Sequence, residues 1–185
     1  MHVVLESEHL CLCELGPSDL SFTTILLGDP VVMRYWPRPY TREEALEWLR
    51  QQQVGYSRDG YGYWLAVEKV SGRPIGQVGL LRQEVESYMD VSLGYILHHP
   101  FWRRGFATEA AAACLKYAFT QLDRSRVIAL MRPENLPSQG VARKLGMVQK
   151  RLILYKGLPH LLYVAERPLD STAAEPNAHD SNASS

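Results

Sequence analysis

The stretch Trp102-Arg103-Arg104-Gly105-Phe106-Ala107-Thr108-Glu109-Ala110 joins an extended segment to a helix and puts small residues and two cations at the joint. Upstream, Val91 to Leu97 reads as a strand. Downstream, Ala107, Ala111, Cys114, Leu115, Ala118, Phe119 and Leu122 recur at helical spacing and define one apolar face. The first turn of a helix has backbone N–H groups without internal partners and carries partial positive charge, so a diphosphate seated there meets several donors at once. Gly105 and Ala107 allow close approach of the main chain, and Arg103 and Arg104 add charge. The glycine spacing matches neither the Walker pattern nor the dinucleotide-binding pattern, which disfavours nucleoside triphosphates and NAD.

Around this joint the chain reads as mixed α/β. Leu10 to Cys13 is a first strand, and Pro17-Ser18-Asp19 opens a helix that runs to about Leu27 and stops at Gly28. Thr41 and Glu44 form a capping box for a helix from Arg42 to about Val54, broken by Gly55 to Gly60. Tyr61 to Val70, Ile75 to Glu84 and Met89 to Leu97 predict an antiparallel meander whose first turn is Ser71-Gly72. After the long helix come a strand from Val127 to Met131, a helix from about Pro137 to Leu145 stopped by Gly146, and a hairpin turning at Lys156-Gly157. Residues 1–170 are expected to form a single domain. Residues 171–185, rich in Ser, Ala, Asn and acidic residues without apolar periodicity, are expected to be a disordered tail.

Composition sets further bounds. An apolar fraction of 46% and a charged fraction of 22% suit one globular domain of 185 residues. With 20 basic and 20 acidic residues the formal charge is zero, which argues against nucleic-acid partners and anionic membranes. Three cysteines, no secretory segment and no apolar run long enough to span a bilayer point to the cytoplasm. Cys11, Cys13 and Cys114 read as buried filler, and no His/Cys spacing suggests a metal. His98 and His99 are neighbours on a strand, where side chains alternate, so they are expected to diverge and not to chelate together.

Leu93-Gly94-Tyr95, the 102–110 joint, Arg132-Pro133-Glu134-Asn135, Ser138 and Lys144-Leu145-Gly146-Met147 together resemble the GCN5-related N-acetyltransferase (GNAT) family. More narrowly, they look like the branch that acetylates ribosomal-protein N-termini. The resemblance covers roughly Leu10 to Arg167. It implies a mostly antiparallel sheet, flanked by helices, whose central strands splay apart around acyl-CoA; here those strands are Met89 to Leu97 and Val127 to Met131. It also implies transfer of acetyl from acetyl-CoA to a primary amine, either a protein N-terminus or a small molecule, by direct attack in a ternary complex of a monomer or homodimer. The alternative is a catalytically weak acyl-CoA-binding or regulatory module of the same fold. The backbone at Leu97 and His98 would meet the pantetheine or thioester, and Arg103, Arg104, Gly105, Phe106, Ala107 and Thr108 the pyrophosphate. Asn135 and Ser138 would complete the cofactor site, with Ser138 also a candidate acid for the departing thiolate. Arg143 and Lys144 read either as contacts to the cofactor's ribose phosphate or as charges complementing a helix C-terminus.

The sequence departs from the family pattern at the proton-transfer groups. The tyrosine acid that many relatives carry falls on Ala142, the glutamate before the apolar-Gly-Tyr motif is replaced by Ser92, and the carboxylate of the last hairpin falls on Leu154. Asp90, on the strand face of Ser92, is a substitute candidate base acting through water. An α-amine near pKa 7.7–8.0 already has about a tenth of its population free at neutral pH, whereas a lysine amine near 10.4 has almost none. A site without a strong base therefore suits a weakly basic amine. Its cleft is expected to come from the segments around Tyr35 and Trp36, Glu84 to Tyr88, and the last hairpin.

Overall fold

Alternation of apolar and polar residues between Tyr63 and Leu97 folds the middle of the chain into a meander, and every other element is arranged on it. The computed structural model describes residues 2–168; the expected tail at 171–185 lies outside the described residues. The strands are β1 (Val3–Glu6), β2 (Leu10–Glu14), β3 (Tyr63–Glu68), β4 (Arg73–Val85), β5 (Tyr88–Leu97), β6 (Arg126–Met131), β7 (Val148–Tyr155) and β8 (Leu158–Glu166). They form one eight-stranded sheet in the order β1-β2-β3-β4-β5-β6-β8-β7. Every neighbouring pair is antiparallel except β5 and β6, which are parallel and share a single register pair, Ser92 with Ile128.

Helices α1 (Leu20–Gly28), α2 (Arg42–Asp59), α3 (Phe106–Thr120) and α4 (Leu136–Lys144) complete the fold. The chain crosses from β5 to β6 through α3, whose buried stripe of Phe106, Ala110, Ala111, Cys114, Leu115 and Ala118 joins Leu80, Leu93 and Val127 in the main core. Small residues along that stripe let the helix lie close to the sheet. Cys114 is packing, and burial pushes its thiol well above its usual range. On the other side of the sheet, α1 and α2 pack Leu26, Leu27, Ala45 and Leu49 against Leu65 and Ile96. A buried relay fixes them: the Trp48 indole N–H donates to Gln77 Oε1 (2.8 Å), and Gln77 Nε2 donates to Thr23 Oγ1 (3.0 Å).

Two expectations about local structure are corrected. Helix α2 does not break at Gly55 but continues to Asp59 and ends at Gly60 in the left-handed region (φ 78°). Gly55 is there for packing, since a Cβ would lie 2.9 Å from the carbonyl oxygen of Tyr61. The neighbouring histidines do not diverge either. Strand β5 ends at Leu97, and His99 to Phe101 form a turn of 3-10 helix, so alternation lapses between them. Their ring centroids lie 5.2 Å apart, and Asp29, His98 and His99 offer three ligand-type atoms within 4.8 Å of one another. His99 Nδ1 is 2.8 Å from Asp29 Oδ2, while Asp29 Oδ1 accepts from the N–H of Val31 (2.7 Å), closing the turn after α1.

Candidate active site

The sheet carries an edge in its own interior. Beyond Ser92, β5 keeps its ladder with β4 as far as Leu97 opposite Gly76, but β6 turns away. His98 N donates to Ile75 O (2.9 Å), so alternation along the strand turns the main-chain groups of Tyr95 and Leu97 toward the gap. Main-chain polar groups in such a gap need partners. One is supplied locally, as the Trp102 indole N–H donates to Leu97 O (2.7 Å).

The loop that follows is folded back by two left-handed residues, Arg103 (φ 60°) and Gly105 (φ 86°). Gly105 is the N-cap of α3 and has no side chain to offer the helix, and the first helical bond outside the element is Glu109 N to Gly105 O. Among the described residues the N–H groups of Phe106, Ala107 and Thr108 have no acceptor. These donors, the positive helix end and the Arg103 guanidinium converge on one opening, which is the arrangement an anion such as a diphosphate requires.

Interior edge, helix terminus and α4 border one cleft of about 390 Å³. Tyr95, Ile96 and Leu97 form its floor, Arg103 and Gly105 to Thr108 one wall, and Asn135, Pro137, Ser138, Val141 and Lys144 the opposite wall. Val32, Arg34, Tyr35 and Trp36 close its end. The two ends of the motif, more than thirty residues apart in sequence, thus meet in space. Asn135 caps α4, its Oδ1 accepting from Ser138 N (3.2 Å), which leaves its amide nitrogen for the cleft. Ser138 is half-buried in the cleft wall, and its carbonyl accepts from the Tyr95 phenol (3.4 Å).

Three candidate residues are not brought to this cleft. The His98 ring packs edge-on to Phe22 (6.2 Å between centroids), the main-chain N–H of His98 is spent on Ile75 O of β4, and burial, then His99, lower the ring's pKa. Arg104 points to the other side of the loop, where its guanidinium meets Glu68 Oε1 (2.6 Å) and stacks on Phe106 (4.7 Å). Asp90 lies five residues up β5 from Tyr95, roughly 17 Å at strand rise, in a separate polar cavity, where both its oxygens accept from Arg126 (2.8 and 2.9 Å). A carboxylate so engaged, at that distance, is not the base of this cleft. Neither residues 84–88 nor the last hairpin line it.

Tyr95 is the site residue that the sequence reading missed. Burial pushes its phenol up to about 12, so it keeps its proton and acts as a donor. Its signal was available, because Tyr95 and Leu97 share a strand face and Leu97 was already placed at the cofactor. Ala142 is on the core side of α4 at 3% exposure, a packing position that does not line the cleft.

A family model described as an acetyltransferase (GNAT) domain matches residues 9–148. The uncharacterized protein YkkB of Bacillus subtilis is 32% identical over 139 residues, covering 75% of this chain and 81% of that protein. Among solved structures, an acetyltransferase from Agrobacterium tumefaciens superposes with a TM-score of 0.79 at 23% identity, covering 88% of this chain and 94% of the other. The alpha-N-protein acetyltransferase RimL, in complex with coenzyme A, superposes with a TM-score of 0.74 at 17% identity over 89% of this chain and 98% of its own. These two share the fold of this chain. The family match over most of the chain and the identity to YkkB carry the conclusion that this chain belongs to the GNAT acetyltransferases, enzymes that transfer acetyl from acetyl-CoA to an amine.

Proposed function

We propose that the cleft between β5, the α3 N-terminus and α4 binds acetyl-CoA and acetylates a weakly basic primary amine, such as an α-amine, by direct attack. The observation that carries this reading is the convergence of an interior sheet edge with three unpartnered helix N–H groups on one opening. The main-chain donors of Phe106, Ala107 and Thr108, with Arg103, suit the pyrophosphate, and the exposed edge at Tyr95 and Leu97 suits the amide-bearing pantetheine arm. Asn135 adds a side-chain amide. Acetyl-CoA supplies an activated acyl group whose thioester carbonyl gains negative charge under attack. A main-chain N–H of the β5 edge aimed at that oxygen would stabilise it.

Proton balance requires the amine to lose one proton and the departing sulfur to gain one. Tyr35, Tyr95, Thr108 and Ser138 bring hydroxyls to the cleft, and Ser138 is the group proposed to hydrogen-bond the sulfur. Tyr95, held neutral by burial, steadies the first turn of α4 through the Ser138 carbonyl. No carboxylate lines the cleft among the described residues. The free-base amine must then come from solution, which favours acceptors with pKa near 8 over lysine side chains. RimL, an alpha-N-protein acetyltransferase, has the same fold.

Release of free thiol from acetyl-CoA, followed with and without amine, tests the reading. Amine-dependent release, with an acetylated product seen by mass, is expected. Tight acetyl-CoA binding without release for any amine would identify a binding module instead.

A further inference from the structure

The end of the cleft closed by Val32 to Trp36 carries an arginine. Arg34, in the turn between α1 and α2, lies over two rings, with its guanidinium carbon 4.9 Å from the Tyr35 centroid and 4.9 Å from the Trp102 centroid. Trp102 is itself pinned through its indole N–H to Leu97 O at the end of β5. The exposed guanidinium therefore lies beside the interior edge, against two aromatic rings, with its N–H donors available. Among the described residues Arg34 has no salt bridge and no hydrogen-bonded acceptor, in contrast to Arg38, Arg104 and Arg126, each of which has a carboxylate partner. A guanidinium with unused donors matches a planar, doubly accepting anion.

The rest of the charge in the cleft has the same sign. Apart from Tyr35 and Tyr95, its ionisable lining groups are Arg34, Arg103 and Lys144. Arg103 stands at the α3 terminus and Lys144 in the last turn of α4, whereas Arg34 belongs to the segment around Tyr35 and Trp36, where the acceptor is expected to enter. A field of this sign holds an entering amine toward its neutral, nucleophilic form and repels an acceptor that brings a second positive charge.

Resting on the proposed acetyl transfer, we infer that the acceptor is a primary amine carrying its own carboxylate within a few bonds, and that Arg34 binds that carboxylate. Two sources share this chemistry: a free amino acid, and a peptide N-terminus followed by an acidic residue. Polyamines and other polycationic amines are excluded as good substrates.

The test uses the full chain, acetyl-CoA and two acceptor sets: amino acids against their amides, and C-terminally amidated tripeptides with an acidic, neutral or basic second residue. Transfer is read by mass and thiol release, and acetyl-CoA affinity by calorimetry. The anionic member of one set is expected to exceed its neutral counterpart at least about tenfold in kcat/KM, through KM, with the basic peptide poorest. Which set shows the preference identifies the source. Arg34→Leu is expected to bring the anionic-to-neutral ratio close to one, and Arg34→Lys to restore part of it. Equal rates for anionic and neutral acceptors, a preference for the basic peptide, or no transfer to either set despite acetyl-CoA binding would each overturn the inference while leaving cofactor binding intact. A loss of acetyl-CoA affinity in Arg34→Leu with the acceptor ratio unchanged would assign Arg34 to the cofactor and overturn it as well. Failure of the native chain to bind acetyl-CoA would overturn the reading beneath it.

Discussion

Substitution of Gly105 separates the two ways a glycine can serve an anion site. At φ 86° the residue is in the left-handed region, yet a Cβ built on it meets nothing within 4 Å, because it would project into open space at the cleft. A non-glycine residue there costs about 1–2 kcal/mol in backbone strain, and a β-branched one more. In the free protein an exposed loop can relax to negative φ and escape the strain, but it must return to the native bend to aim the N–H groups of Phe106, Ala107 and Thr108 at a ligand. The strain then appears in binding. Gly105→Ala should raise the acetyl-CoA Kd about 5- to 30-fold, the equivalent of 1–2 kcal/mol. If the loop cannot relax, the same energy appears as a loss of about 2–8 °C in Tm. Gly105→Asn, which tolerates left-handed backbone, should lose far less if backbone conformation is the reason. If instead a bound phosphate packs against the α-carbon, Asn and Val should lose affinity alike. Calorimetric titration of the three variants with acetyl-CoA, beside their melting curves, reads both quantities. A Gly105→Val protein with native Tm and native affinity would remove this loop from the cofactor site.

Arg103→Ala should weaken CoA more than pantetheine, with the difference shrinking as salt rises; Arg104→Ala should leave both affinities alone and lower Tm by no more than about 4 °C, the scale of an exposed ion pair. Glu109 clamps the β1–β2 turn onto α3 by accepting from the Ser7 hydroxyl (2.6 Å), the His9 N–H (2.7 Å) and the His9 ring (2.9 Å). Burial opposes its charge, but these donors outweigh burial and lower its pKa below the ordinary 4.5. Its stabilisation is accordingly complete above 4.5 and lost as pH falls through the lowered value, so the Tm gap between the native chain and Glu109→Gln should be full at neutral pH and close once the pH falls below that lowered value. A gap that persists in acid would mean the carboxylate acts by packing. Ser138→Ala should lower kcat by about ten- to a hundredfold, near 1.4–2.7 kcal/mol, with acetyl-CoA affinity little changed; a rate within twofold of native would reduce Ser138 to a residue of the helix N-terminus.

Periodicity and turn chemistry carried most of the fold. The Thr41/Glu44 capping box, the Ser71-Gly72 and Lys156-Gly157 turns and the apolar stripe of α3 all stand where their residues placed them, because each is a local signal obeyed locally. Strand β1 was not foreseen, since four residues on a sheet edge with both ends exposed bury too little to leave a pattern. Gly55 misled for a tertiary reason: the approach of Tyr61, far weaker as a sequence signal than a glycine in a helix, is what the glycine serves. The candidate site divides along the same line. Main-chain positions from Gly105 to Thr108 and the Asn135–Ser138 turn reach the cleft, because loop and helix end are set by local sequence. Arg104 and Asp90 do not, because the direction of a long side chain is decided by the charge that meets it, here Glu68 and Arg126, each more than thirty residues away in the chain.

That division follows from what the cleft is made of. Its binding capacity is carried by backbone: an interior strand edge left open because β5 and β6 share only the Ser92–Ile128 pair, and a helix terminus left open because its N-cap is a glycine. Backbone donors place few demands on side-chain identity beyond smallness and a left-handed bend, so their motif is weak in composition and specific only in arrangement. Side chains that tune the reaction are free to differ, and here they do. With Ala142 in the core, Asp90 paired to Arg126 and no carboxylate on the lining among the described residues, the proposed reaction leaves proton removal to the acceptor's own basicity and gives Arg34 and Trp102 the end where that acceptor would enter. Lowering the acceptor's pKa and selecting its charge are then the same electrostatic act. An acidic residue introduced at the acceptor end should therefore raise the acceptance of cationic amines and, by stabilising their protonated form, slow their acetylation at neutral pH. A variant Trp36→Glu that binds a diamine more tightly but acetylates it no faster per bound molecule below the amine pKa is the expected result, and faster turnover there would show that the new carboxylate serves as the missing base.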